Sequence, residues 1–152
     1  MDLDTIIKRL PYQDPFLFVD ELMDISETGA QGTFQFKSDS AFYRGHFKEY
    51  PITPGVILTE CCAQIGLVCL GIHLMDKLDV EQNKGQHQIA MSSTQMEFLK
   101  AVFPNETVRV VSEKEYFRFN KLKCRVKMYN AKDELVCRGV LSGMIILKSD
   151  GK

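Results

Sequence analysis

From Val56 the chain runs VILTECCAQIGLVCLGIHLM, about twenty residues with almost no charge, a length and composition that only lipid or a protein interior can shield from water. Glu60, Gln64 and His73 lie inside this run, and Gly66 and Gly71 interrupt it. Polar groups at those positions disfavour a membrane span and predict a helix buried on nearly all sides within a soluble domain. Pro51 and Pro54 hold the residues before them extended, and the fixed φ of Pro54 suits a first helical turn, so the helix is expected to begin near Pro54.

Within that helix Glu60 is the one ionisable acid of the first half, and Gln64 lies one turn on along the same face. A buried carboxylate must find a partner or keep its proton, and a neutral carboxylic acid in a dry site is a ready proton donor. His46 stands just upstream in a turn containing Gly45, and histidine as a residue type titrates near neutrality. Base, acid and helix N-terminus together point to proton-transfer chemistry. Plainer readings stand beside this one. His46 could be structural, Glu60 could pair with Arg44, and Gln64 could be a packing amide.

The rest of the chain supplies what a buried helix needs. Asp2 to Leu10 reads as a short helix stopped by Pro11, packed on the domain as a lid. Phe16 to Ile25 and the alternating Ala30 to Lys37 read as a hairpin through Ser26–Gly29. Phe42 and Phe47 bracket the Arg44-Gly45-His46 turn. Beyond the helix, Asp76 to Gln86 is polar and reads as a surface loop. Extended segments follow over Gln88–Val102, Thr107–Asn120, Lys121–Tyr129 and Leu135–Leu147. An antiparallel sheet wrapped around one long helix satisfies this outline, an α+β architecture. With 152 residues, a 45% hydrophobic fraction and no linker or repeat, one domain over 1–152 is expected.

A net charge of −1 gives no general argument for nucleic acid or an anionic membrane. Five cysteines, three of them in the apolar run at Cys61, Cys62 and Cys69, are odd in number and lack zinc spacing. Buried free thiols, no metal and a reducing cytoplasm are the expectation. The charged N-terminus MDLDTIIKRL has the features of neither a signal nor a transit peptide. His73 and His87 have no partner pattern and are expected to be structural or on the surface.

Gly45-His46-Phe47, Pro51 to Val56, Glu60 to Gln64, Leu10-Pro11 and Pro15-Phe16-Leu17-Phe18-Val19-Asp20, with a His46 to Glu60 separation of 60 − 46 = 14, form a pattern. It resembles the 3-hydroxyacyl-(acyl carrier protein) dehydratases of the FabZ type. The resemblance implies the hot-dog fold and reversible dehydration of a (3R)-3-hydroxyacyl thioester to the trans-2-enoyl thioester. His46 would be the base and Glu60 the acid, with Gly55, Gln64, Val56 and Phe47 as substrate-binding residues and no cofactor.

The family also implies an acyl carrier protein as partner and a homodimer, often a trimer of dimers, in which the two catalytic residues meet across the interface. Ile57, Leu67, Met91, Phe98 and Leu99 would line the acyl chain. The basic row Lys121, Lys123, Arg125 and Lys127 would be either a solvated face or a carrier-docking surface. Two stretches depart from the family pattern, Tyr12-Gln13 and Lys48-Glu49. They leave both housekeeping fatty acid synthesis and a specialised polyketide or aryl-polyene pathway open. Isomerising relatives generally carry Asp at the acid position, so Glu60 points to dehydration alone. A hot-dog thioesterase is the competing function, because one scaffold hosts both chemistries.

Overall fold

The computed structural model describes residues 2–78 and 87–147. Its centre is one continuous helix, Gly55–Leu78, of which 72% of the most apolar window is buried inside the fold. Length and composition would suit a membrane span, but the burial makes it the core helix expected from the sequence. It starts α-helical over Gly55–Ala63, widens into a π-helical stretch over Gln64–Cys69 and returns to α over Leu70–Leu78. Pro54 stands outside the first turn, as an extended N-cap. The helix runs through Asp76, Lys77 and Leu78, three residues expected in a loop; the remainder of that loop, with Gly85, lies outside the described residues.

Among the described residues six strands form one antiparallel sheet: β1 (Glu21–Ile25), β2 (Ala30–Gln35), β3 (His87–Phe98), β4 (Thr107–Arg118), β5 (Lys121–Tyr129) and β6 (Leu135–Leu147). Their spatial order is β1-β2-β4-β5-β6-β3, which leaves β3 on one edge. Along β5 the inward positions Leu122, Cys124, Val126 and Met128 are buried, and Lys121, Lys123, Arg125 and Lys127 alternate with them on the outer face. Bulges in β1, in β4 between Lys114 and Tyr116, and in β3 between Met91 and Ser93 bend the sheet around the helix. Each fully buried aliphatic side chain at the contact, such as Ile65, Leu67 and Leu70, is worth about 1.5–3 kcal/mol.

The outer basic row is partly neutralised by its neighbours. Arg125 pairs with Glu113, and Lys123 Nζ lies 3.7 Å from Glu115 Oε2. Phe119, expected among the strand residues, sits instead in the β4–β5 turn with a φ of 53° and is 89% exposed. The N-terminal helix, Leu3–Lys8, buries Ile6 and is tied to the far end of the central helix by the Arg9–Asp76 ion pair. All five cysteines are free and buried, as expected.

Close helix–sheet approach depends on glycine at one point in particular. A Cβ on Gly66 would stand 2.9 Å from both Ser112 Cβ and Val126 Cγ1, atoms close to the strand backbones and unable to swing away. Gly66→Ala is therefore expected to destabilise by about 1–2 kcal/mol in urea unfolding, overpacking outweighing the helix propensity that alanine adds.

Candidate active site

Elements at the N-terminal end of the central helix converge on a cleft of about 480 Å³, lined by His46, Phe47, Gly55, Leu58, Phe98 and Leu99 among others. His46 follows the 3₁₀ turn Ala41–Arg44, and its backbone N–H donates to Phe42 O at 3.1 Å. Its ring Nδ1 lies 2.9 Å from the Ile52 carbonyl. A carbonyl can only accept, so in the neutral ring Nδ1 carries the hydrogen and Nε2 presents a free lone pair. Phe47 stacks on the imidazole at 4.5 Å and 15°. It adopts a φ of 57°, a left-handed conformation that costs a side chain of this kind about 1–2 kcal/mol.

Gly55 begins the helix beside His46. Ile57 and Leu58 N–H both turn back to Pro54 O, and Pro54 supplies no side-chain cap. The Gly55 and Val56 N–H groups are left facing out of the first turn, donors suited to a developing negative charge. A Cβ on Gly55 would crowd the Phe98 ring, at 3.2 Å from Cζ, so glycine keeps this floor of the cleft open.

Glu60 is not part of that lining. Leu58 faces the His46 cleft, and two residues further on the helix has turned about 200°, which carries Glu60 to the opposite side. There it meets the chain between the N-terminal helix and β1. Gln64, 0% exposed, accepts from Phe18 N–H at 2.7 Å and donates to Phe16 O and Glu60 Oε2, both at 3.0 Å. Burial raises the Glu60 carboxyl above its usual range, and the Gln64 hydrogen bond offsets part of that rise. Among the described residues no basic side chain pairs with Glu60, so the Arg44 alternative falls away. Tyr12 is close enough to feel it: its phenol is pushed up to about 12, first by burial and then by the Glu60 charge.

The cleft thus contains His46, Phe47, Gly55, Phe98 and Leu99 of the expected site, and Glu60 stands apart from them in a single chain. The Gln64 amide is engaged inside the protein with Phe16, Phe18 and the Glu60 carboxyl, which leaves it no free hydrogen for a substrate contact. The Val56 side chain is 76% exposed and is not among the residues that line the cleft. Leu67 is sealed in the core and Met91 lies exposed on β3. Nothing in the residue pattern marked the Ile52 carbonyl or the Phe16 and Phe18 backbone groups, whose contribution does not depend on side-chain identity. No cluster of metal-ligating side chains occurs among the described residues.

The FabA-like domain family matches residues 10–139. A Clostridioides difficile protein named 3-hydroxyacyl-[acyl-carrier-protein] dehydratase FabZ is 34% identical over 97% of this chain and 99% of its own length. An Anoxybacillus flavithermus protein of the same name is 32% identical over 90% and 92%. The chain belongs to the FabZ family of FabA-like domains. Among solved structures, a mutant of thioesterase PA1618 from Pseudomonas aeruginosa aligns with a TM-score of 0.68 at 12% identity, covering 97% of this chain and 95% of that one. A mutant hypothetical thioesterase from Streptococcus pneumoniae TIGR4 aligns at 0.63 and 17% identity, covering 84% and 90%. These likenesses establish the hot-dog fold, an antiparallel sheet wrapped around a central helix.

The raised Glu60 carboxyl has a consequence for stability. Folding favours its protonated form, so the associated stabilisation is complete below the ordinary carboxylate value and is lost as pH rises through the raised one. Glu60→Gln keeps an acceptor for Gln64 and cannot ionise. Its melting temperature is expected to exceed that of the wild type at pH 8 and to match it near pH 4, in thermal scans at both pH values.

Proposed function

We propose that this protein is a cytoplasmic hydro-lyase that reversibly dehydrates a (3R)-3-hydroxyacyl thioester carried on acyl carrier protein; the names of its relatives, 3-hydroxyacyl-[acyl-carrier-protein] dehydratase, support the dehydration and the carrier. The observation that carries the reading is the complementary setting of the two groups: an imidazole whose Nδ1 is committed to the Ile52 carbonyl, leaving Nε2 free, and a carboxyl whose hold on its proton burial strengthens. His46 Nε2 takes the C2 proton, and the negative charge that develops on the thioester oxygen is met by the Gly55 and Val56 N–H groups. The electron pair forms the C2–C3 double bond as the C3–O bond breaks. Glu60 gives its proton to the departing hydroxyl, so that water leaves. The proton on His46 then returns to the Glu60 carboxylate before the next turnover.

Because His46 and Glu60 lie on opposite sides of the helix, each site is built from two copies of the chain, a base from one and an acid from the other. Support for such a dimer comes from β3, an edge strand whose residues from Ala90 to Gln95 are all exposed and whose outer backbone row pairs with no other strand among the described residues. Pairing of two β3 edges joins the sheets across a two-fold axis.

Turnover of a 3-hydroxyacyl carrier-protein thioester, followed by mass spectrometry, tests the chemistry. Loss of water by the wild type is expected, reduced by about 10²–10⁴-fold in His46→Ala and in Glu60→Gln. Release of free acid would make the protein a thioesterase instead. The rate is expected to fall on the alkaline side as Glu60 ionises, because the acid role needs its proton.

A further inference from the structure

The direction of the His46 ring rests on the carbonyl of Ile52, and that carbonyl lies in Pro51–Pro54, a stretch without regular secondary structure. The Ile52 C=O and the Thr53 N–H belong to one planar peptide and point in opposite directions. Thr53 N–H donates to Val102 O at 2.8 Å, which anchors one side of the plane. The Thr53 hydroxyl lies 2.5 Å from the Tyr43 hydroxyl, both residues buried, at 4% and 6% exposure. Tyr43 in turn belongs to the 3₁₀ turn that delivers His46, one residue after the Phe42 carbonyl that receives the His46 N–H. The hydroxyl pair therefore ties the turn before His46 to the peptide that orients its ring.

Stability alone gives little reason for this pair. Two buried hydroxyls bonded to each other contribute almost the same as two apolar groups of equal shape, whereas one left alone is costly. What a hydrogen bond adds is direction. Burial raises the Tyr43 phenol above its ordinary range, consistent with a neutral group committed to this one partner.

We propose that Tyr43 and Thr53 are positioning residues for His46, their buried hydrogen bond fixing the Ile52–Thr53 peptide so that the imidazole is held with Nδ1 protonated and Nε2 facing the cleft. The proposal rests on His46 being the base of the reaction described above. Thr53 also lines the cleft, but its hydroxyl is committed to Tyr43. Both act through the ring they orient.

Tyr43→Phe, Thr53→Val and the double variant test it, with protein carrying ¹⁵N-labelled histidine and the His46 signals assigned by loss in His46→Ala. In the wild type the ¹⁵N shifts of His46 are expected to report the Nδ1–H tautomer almost alone. In each single variant the Nε2–H form is expected to grow, with kcat reduced by about 10-fold and KM changed little. The double variant, which leaves no hydroxyl unpartnered, is expected to regain melting temperature without regaining the tautomer or kcat. An unchanged tautomer in all three variants, with only the melting temperature moving, would overturn the proposal. Because the tautomer is read without turnover, a wild type that dehydrates nothing would sink the functional reading and leave the positioning result standing.

Discussion

A helix of 24 residues with scarcely a charge has to be covered on every side, and the fold is arranged to cover it. The strands supply inward rows of Val, Leu, Cys and Met, and bulges bend those strands around the helix. Glycine at position 66 lets the sheet come close where the helix widens into its π turn, and π turns within α-helices gather at functional sites. The chemistry follows from the same constraint. A carboxyl placed in this helix is raised by burial, and the first turn of the helix offers uncapped N–H groups at the point where the histidine loop arrives.

Gln64 links packing to function. Its amide holds the Phe16–Phe18 stretch against the helix and spends its remaining hydrogen on Glu60. One buried residue thus closes the core and aims the acid, with all its polar atoms satisfied. On the other side of the helix the Ile52 carbonyl does the corresponding work for His46. The proposed acid and base are each oriented by the fold before any substrate arrives, which would lower the reorganisation that the reaction demands.

Much of this was legible in residue patterns. β-favouring side chains on either side of the Asn130–Asp133 turn placed β5 and β6 at their observed bounds, and an apolar run with few charges identified the central helix. The helix end was missed because Asp76 and Lys77 are polar, although helices commonly expose polar residues in their last turn and Asp76 is used there by Arg9. Phe119 read as a strand residue by its β preference, whereas the tight turn between β4 and β5 decided its conformation. In the site, His46 and Glu60 stood out by type and place along the chain, and Gly55 and Phe47 by the family resemblance. The backbone groups that aim them did not, since any residue carries the same carbonyl. Choosing among the readings of Gln64, and placing the Val56 side chain, needed geometry, because only packing determines whether an amide is spent internally or a side chain faces a cleft.

The central claim is that one chain cannot complete the site, since the helix turns His46 and Glu60 to opposite sides. Subunit mixing tests this most directly. His46→Ala and Glu60→Gln proteins, each nearly inactive alone, would be unfolded together, refolded at equal ratio and assayed for dehydration. Random two-fold pairing makes half of the dimers mixed, each with one intact site of two, so about one quarter of wild-type activity is predicted. Activity no greater than that of the separate variants, in mixtures shown to contain the mixed dimer, would contradict the account.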